Sequence, residues 1–148
     1  MQIEAMLCDS ATVREGLLHV LGGGINRLWR DIFPAQMAAT LALLLEIHPT
    51  ETEMQHTIHI FLQDEDGRRL AEVSADFQVG RNTAASRPGE NILMPLIVSL
   101  QNMEIPRPGS YSVDIVLDNQ HKRSLMVYAC SQTSDDRRRR GRSQGYQN

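Results

Sequence analysis

Hydrophobic and polar residues alternate along much of this chain with a period of two, most clearly in its middle. Between His56 and Gln63, Ile58, Ile60 and Leu62 fall on one side while Thr57, His59, Phe61 and Gln63 fall on the other. Successive side chains of a strand point to opposite faces, so this order predicts a strand with one dry face. After Asp64-Glu65-Asp66-Gly67 the rhythm resumes, with Ala71, Val73, Ala75, Phe77 and Val79 alternating with Glu72, Ser74, Asp76 and Gln78. The two runs predict a hairpin, Gly67 supplying the positive φ of a type I turn with a following bulge. A second pair reads the same way. Tyr111, Val113, Ile115 and Leu117 alternate with Ser112, Asp114 and Val116, and a run from Arg123 to Cys130 follows a polar turn from Asp118 to Lys122. Pro106-Arg107-Pro108-Gly109 at the entrance forbids helix and favours a turn.

Two further runs, Ala39 to His48 and Ile92 to Leu100, are apolar on both faces and read as central strands of a packed layer. Pro95 inside the second has no N–H to give a ladder, which predicts an edge position or a bulge. Near the N-terminus the expected strands are Ile3 to Cys8 and Leu17 to Trp29, with Val13 to Gly16 turning between them and Gly22-Gly23-Gly24 forming a bulge or bend. A short helix is the alternative, since Thr12 and Glu15 have capping-box spacing, but Gly16 and the glycine run oppose it. The expectation is all-β: an immunoglobulin-like antiparallel β-sandwich of seven or eight strands over residues 1–130. Residues 131–148, rich in Ser, Gln, Asp, Arg and Gly, are expected to form a disordered tail, because they hold too little apolar surface to offset the entropy of ordering. The longest polar connections, Pro49 to Gln55 and Gly80 to Asn91, are where such a fold carries function.

The opening CDSATVREGLLHVLGGGIN, the Phe33-Pro34 break, the DEDG hairpin and the strand PRPGSYSVDIVLD together resemble a family of small bacterial β-sandwich domains of unknown function. The resemblance covers about residues 1–129. It implies a β-sandwich with strands at the N-terminus, and implies no activity. The Arg-rich tail lies outside the shared pattern.

Composition adds bounds. With 148 residues, 41% hydrophobic and 22% charged, the chain can bury a core without a metal or a disulfide. Five of its fifteen basic residues and two of its eighteen acidic ones lie past Ser134, leaving ten against sixteen, so the body carries about −6. Such a body repels a phosphate backbone. Nothing resembling a signal peptide or an apolar span of membrane length is present, which predicts a cytoplasmic protein with Cys8 and Cys130 reduced.

Candidate chemistry is sparse. His48, Glu51, Glu53, His56 and His59 are metal-ligand types within one stretch, yet His56 and His59 differ by three and face opposite sides of a strand. Only His48 and His56, flanking a loop, could converge, so no metal site and no cofactor is expected. The G-x-S-x-G at Gly141, Ser143 and Gly145 sits in the tail rather than on a strand-to-helix elbow, and nothing places Asp9, Ser10 and His19 together as a triad. Gly22-Gly23-Gly24 lacks the lysine and helix start of a phosphate loop. Arg137, Arg138, Arg139, Arg140 and Arg142 could neutralise phosphates, making a nucleic-acid accessory role one alternative and a metal-dependent enzyme another. The favoured reading is a non-catalytic protein-interaction module or homo-oligomer, with Arg27, Trp29, Arg30 and Phe33 as the contact, because aromatic and arginine residues anchor interfaces.

Overall fold

A computed structural model describes residues 1–81 and 87–131. Twelve strands occur among the described residues: β1 (Gln2–Cys8), β2 (Ser10–Arg14), β3 (Leu17–Leu21), β4 (Arg27–Arg30), β5 (Ala35–Gln36), β6 (Thr40–Ile47), β7 (Gln55–Gln63), β8 (Arg69–Gln78), β9 (Ile92–Ser99), β10 (Glu104–Ile105), β11 (Gly109–Leu117) and β12 (Gln120–Ser131). One 3-10 turn, Pro49–Glu51, interrupts them. They form a three-stranded sheet in the order β1-β6-β9, a five-stranded sheet in the order β4-β12-β11-β7-β8, and two-stranded pairs β2-β3 and β5-β10.

One core joins the two larger sheets. Leu41, Leu43, Leu45 and Ile47 of β6 meet Ile58, Ile60 and Leu62 of β7, Val113, Ile115 and Leu117 of β11, and Val127 and Ala129 of β12. These are the alternate positions that the period of two assigns to the dry face. Arg123 ties the sheets along one flank, its Nε donating to the Ile3 carbonyl at 3.0 Å and its Nη2 to Glu4 Oε2 at 2.7 Å.

Both predicted hairpins form. In β7–β8, Asp64 Oδ1 accepts from the amides of Asp66 and Arg68 at 3.0 and 2.9 Å, and Gly67 has φ +75°. The β11–β12 turn is tighter than expected: Asp118 and Asn119, at φ 48° and 63°, make a two-residue left-handed turn, so β12 starts at Gln120. β6 lies at the centre of its sheet, as its two-sided apolar pattern demands, whereas β9 with Pro95 lies at the edge.

The strand count and the all-antiparallel expectation both need correction. The segment Leu17 to Trp29 is two strands in different sheets, split where Gly22 and Gly24 take positive φ. Gly22 is held to glycine, since a Cβ there would collide with the Asp9 carboxylate. Crossing between sheets sends β4 parallel to β12, with Leu28 opposite Ala129 and Trp29 opposite Cys130. The polar run Ser10–Arg14 is a strand of its own, paired antiparallel with β3.

Candidate functional site

Trp29 lies on β4 between Leu28, which is buried in the core, and Arg30. Side chains alternate, so Leu28 points inward and Arg27 and Trp29 stand on the outer face of the five-stranded sheet. The neighbouring strand repeats the arrangement: Val127 and Ala129 are buried, whereas Met126 and Tyr128 face outward and are 48% and 38% exposed. Arg27 lies opposite Tyr128 in the ladder, with its guanidinium 5.5 Å from the ring centroid. A cation over an aromatic face at this distance is attractive and holds the ring flat. Ile32, in the loop after β4, is exposed as well.

The other two anticipated contact residues are committed within the chain. Arg30 donates to three main-chain carbonyls, Trp29 at 2.9 Å, Gln36 at 3.3 Å and Met37 at 2.9 Å, and so fastens the loop from Asp31 to Ala35 to the strand. Phe33, ahead of a cis peptide to Pro34, packs against the core. Arg27 and the half-buried Trp29 thus share an outer sheet face with Met126 and Tyr128 of β12, a neighbourhood that the sequence does not show because the β4–β12 register, which sets Tyr128 opposite Arg27, joins residues about a hundred positions apart.

The edge strands of the two larger sheets carry features that disfavour strand addition: Arg30 bonds the Trp29 carbonyl of β4, Arg123 bonds the Ile3 carbonyl of β1, Pro95 lies within β9, and β8 carries Arg69, Glu72 and Asp76. Charges, prolines and capped carbonyls oppose strand addition.

His56 is buried, and its ring is held from both ends. Nδ1 lies 2.6 Å from Asp118 Oδ2 and Nε2 lies 2.7 Å from the Glu51 carbonyl oxygen. A carbonyl and an ionised carboxylate can only accept, so this setting favours a ring that carries a proton on both nitrogens. Burial pulls its pKa down, but the hydrogen bonds to Asp118 and the Glu51 carbonyl, with the charges of both carboxylates, outweigh burial and raise it above the ordinary value. Glu51 in turn receives the Met1 ammonium at 2.8 Å and the His48 amide at 2.9 Å; burial works against its ionisation, and these donors lower its pKa in spite of that. With both nitrogens engaged His56 has no lone pair for a metal, and His48 spends Nδ1 on Thr50. Among the described residues no group of three His, Cys, Asp or Glu is placed to hold a metal ion.

A cluster not anticipated from sequence lies on the outer face of β11–β12. Ser124 Oγ donates to Asp114 Oδ1 at 2.5 Å and lies 2.8 Å from His121 Nε2, while Ser112 Oγ donates to Asp114 Oδ2 at 3.2 Å. The order is wrong for an activated serine. The imidazole must stand between hydroxyl and carboxylate to take the proton, and here the serine stands between the other two. Ser10 and His19 lie on the β2–β3 pair, where His19 faces Thr12 and Ser10 faces Leu21.

Residues 4–129 match the model of a family described as Family of unknown function (DUF6941). The chain belongs to that family. The match ends where the resemblance read from the sequence ended, so DUF6941 spans both large sheets and stops before the arginine run. No curated protein matches the chain. The arginines 137–140 and 142 fall outside the described residues, and no described helix is long and apolar enough to cross a membrane.

Proposed function

We propose that this member of DUF6941 is a non-catalytic interaction module that binds a protein partner through the outer face of β4 and β12. The observation that carries the reading is that Arg27, Trp29, Met126 and Tyr128 share the outer face of β4 and β12, outside the core, with Arg27 set opposite Tyr128. Aromatic, methionine and arginine side chains are the types enriched at interface cores, and a sheet holds them with little further entropy to lose. The serine cluster and the doubly bonded His56 both lack the arrangement that chemistry on a substrate would need.

The finer architecture belongs to this reading: an immunoglobulin-like sandwich domain over residues 1–130, with residues 131–148 outside it. Two unpaired cysteines agree with a reducing compartment, the bacterial cytoplasm. The test is photo-cross-linking in the native host from an unnatural residue at position 128, with position 78 on the opposite edge strand as control. A discrete adduct from 128, lost on Trp29→Asp, supports the reading. Equal labelling from both positions, or none from 128, rejects it.

A further inference from the structure

The β2–β3 hairpin is a thin ribbon laid against β6 and β9 of the three-stranded sheet. Its Ala11, Leu18 and Val20 are half-buried, and beneath it the outward positions Thr40 and Ala42 of β6 are buried. The opposite face is open. It carries Ser10, Thr12 and Arg14 from β2 and Leu17, His19 and Leu21 from β3, in the cross-strand pairs Ser10–Leu21, Thr12–His19 and Arg14–Leu17. Leu17 and Leu21 are 63% and 71% exposed.

A shallow groove of about 280 Å³ is lined by Ser10, Ala11, Thr12, Arg14, His19 and Leu21. The lining contains a guanidinium, an imidazole and two hydroxyls but no carboxylate; Glu15 lies beyond it in the turn. Among the described residues the Arg14 side chain has no hydrogen-bond or ion-pair partner. Arg14 is the fixed positive charge of this lining; the body's net negative charge opposes any anion at long range, so the attraction is a short-range one, between the guanidinium and a carboxylate brought against it. The flanking leucines ask in addition for apolar side chains, which a phosphate polymer does not offer, and the body's net charge weighs more heavily against a polyanion than against a short segment with a few carboxylates.

We propose that this face docks an extended acidic segment of a partner protein, with a carboxylate on Arg14 and apolar side chains against Leu17 and Leu21. Five-residue strands about 17 Å long accommodate four or five residues of such a segment. The surface lies on the other sheet from the Trp29 face, so the two proposals stand or fall separately.

The test uses the full chain and an acetylated, amidated octapeptide of alternating leucine and glutamate, followed by fluorescence anisotropy and by amide chemical shifts. Shift changes confined to residues 10–21, affinity that falls with salt, at least a tenfold loss in Arg14→Glu and retention of most binding in Arg14→Lys are expected. Leu21→Ser should also weaken binding, while Gln78→Ala should not, and thermal melts of each variant verify folding. Equal binding of the leucine–lysine octapeptide, binding of a ten-nucleotide oligothymidine with the same shifts, or no hairpin shifts at millimolar peptide would overturn the proposal.

Discussion

His56 and Asp118 meet across 62 residues of chain, with Nδ1 and Oδ2 2.6 Å apart, and the contact ties the start of β7 to the β11–β12 turn. Asp118 completes the arrangement by accepting the Thr57 amide through Oδ1 at 2.9 Å, which fixes the carboxylate plane toward the ring. The Glu51 carbonyl on the other ring nitrogen brings the 3-10 turn into the same unit.

This unit makes stability depend on pH from both sides. Burial opposes ionisation of Asp118 and Glu51, but donors from His56, Thr57, Met1 and His48 lower both pKa values, so their stabilisation is present above the ordinary carboxylate range and is lost as pH falls through the folded values. The raised pKa of His56 has the opposite sign: its contribution is complete below 6.5 and is lost as pH rises through the folded value. Urea melts between pH 3 and 9 should show a plateau in mildly acidic solution with a decline on each side. His56→Gln should remove the alkaline decline and cost about 1–3 kcal/mol at the plateau. Stability that keeps rising through pH 8 in the parent protein would contradict the assignment.

Arg30 bonds the carbonyls of Trp29, Gln36 and Met37 and so bridges the two ends of the loop between β4 and Met37. Arg30→Ala should lower stability by about 1–3 kcal/mol, and Arg30→Lys should recover little, because a point ammonium cannot span the three acceptors. Hydrogen exchange should localise the loosening to residues 29–37. Exchange unchanged there would show that the loop is held by other means.

Leu43, fully buried at the middle of β6, lies where the two large sheets meet. Leu43→Ala should cost about 2–5 kcal/mol, against less than about 1.5 for Leu43→Met. A small effect of the alanine variant in a denaturant melt would show that the sheets do not share this core.

The parts of the fold that were legible in the sequence are those whose two faces differ. Ile58, Ile60 and Leu62 against Thr57 and His59, or Val113 and Ile115 against Ser112 and Asp114, declare both the strand and its inner side. Pro95 narrowed β9 to an edge or a bulge because a missing N–H is a local fact, and β9 lies at the edge. β2 was harder to see: Ser-Ala-Thr-Val-Arg alternates, but its inward positions are only Ala11 and Val13, the first half-buried and the second exposed, so the apolar signal is short and weak. The parallel pairing of β4 with β12 depends on a register across more than a hundred residues, which no local pattern reports.

The same distinction runs through the candidate site. Trp29 and its arginine neighbours stood out as residue types, yet only the burial of Leu28 shows which way Trp29 faces. Arg30 and Phe33 looked equivalent to it until their carbonyl partners and core contacts were located. His56 suggested a metal ligand because the ring is visible in sequence and its two acceptors, one of them 62 residues distant, are not.

Trp29 is the sole tryptophan, which makes its emission a direct reporter of the proposed face. Acrylamide quenching of the isolated protein should be substantial, and complex formation with the partner captured from position 128 should suppress it and shift the emission to shorter wavelength. An indole already shielded from acrylamide in the isolated protein, or one whose quenching is the same with and without that partner, would contradict a docking role for the β4–β12 face.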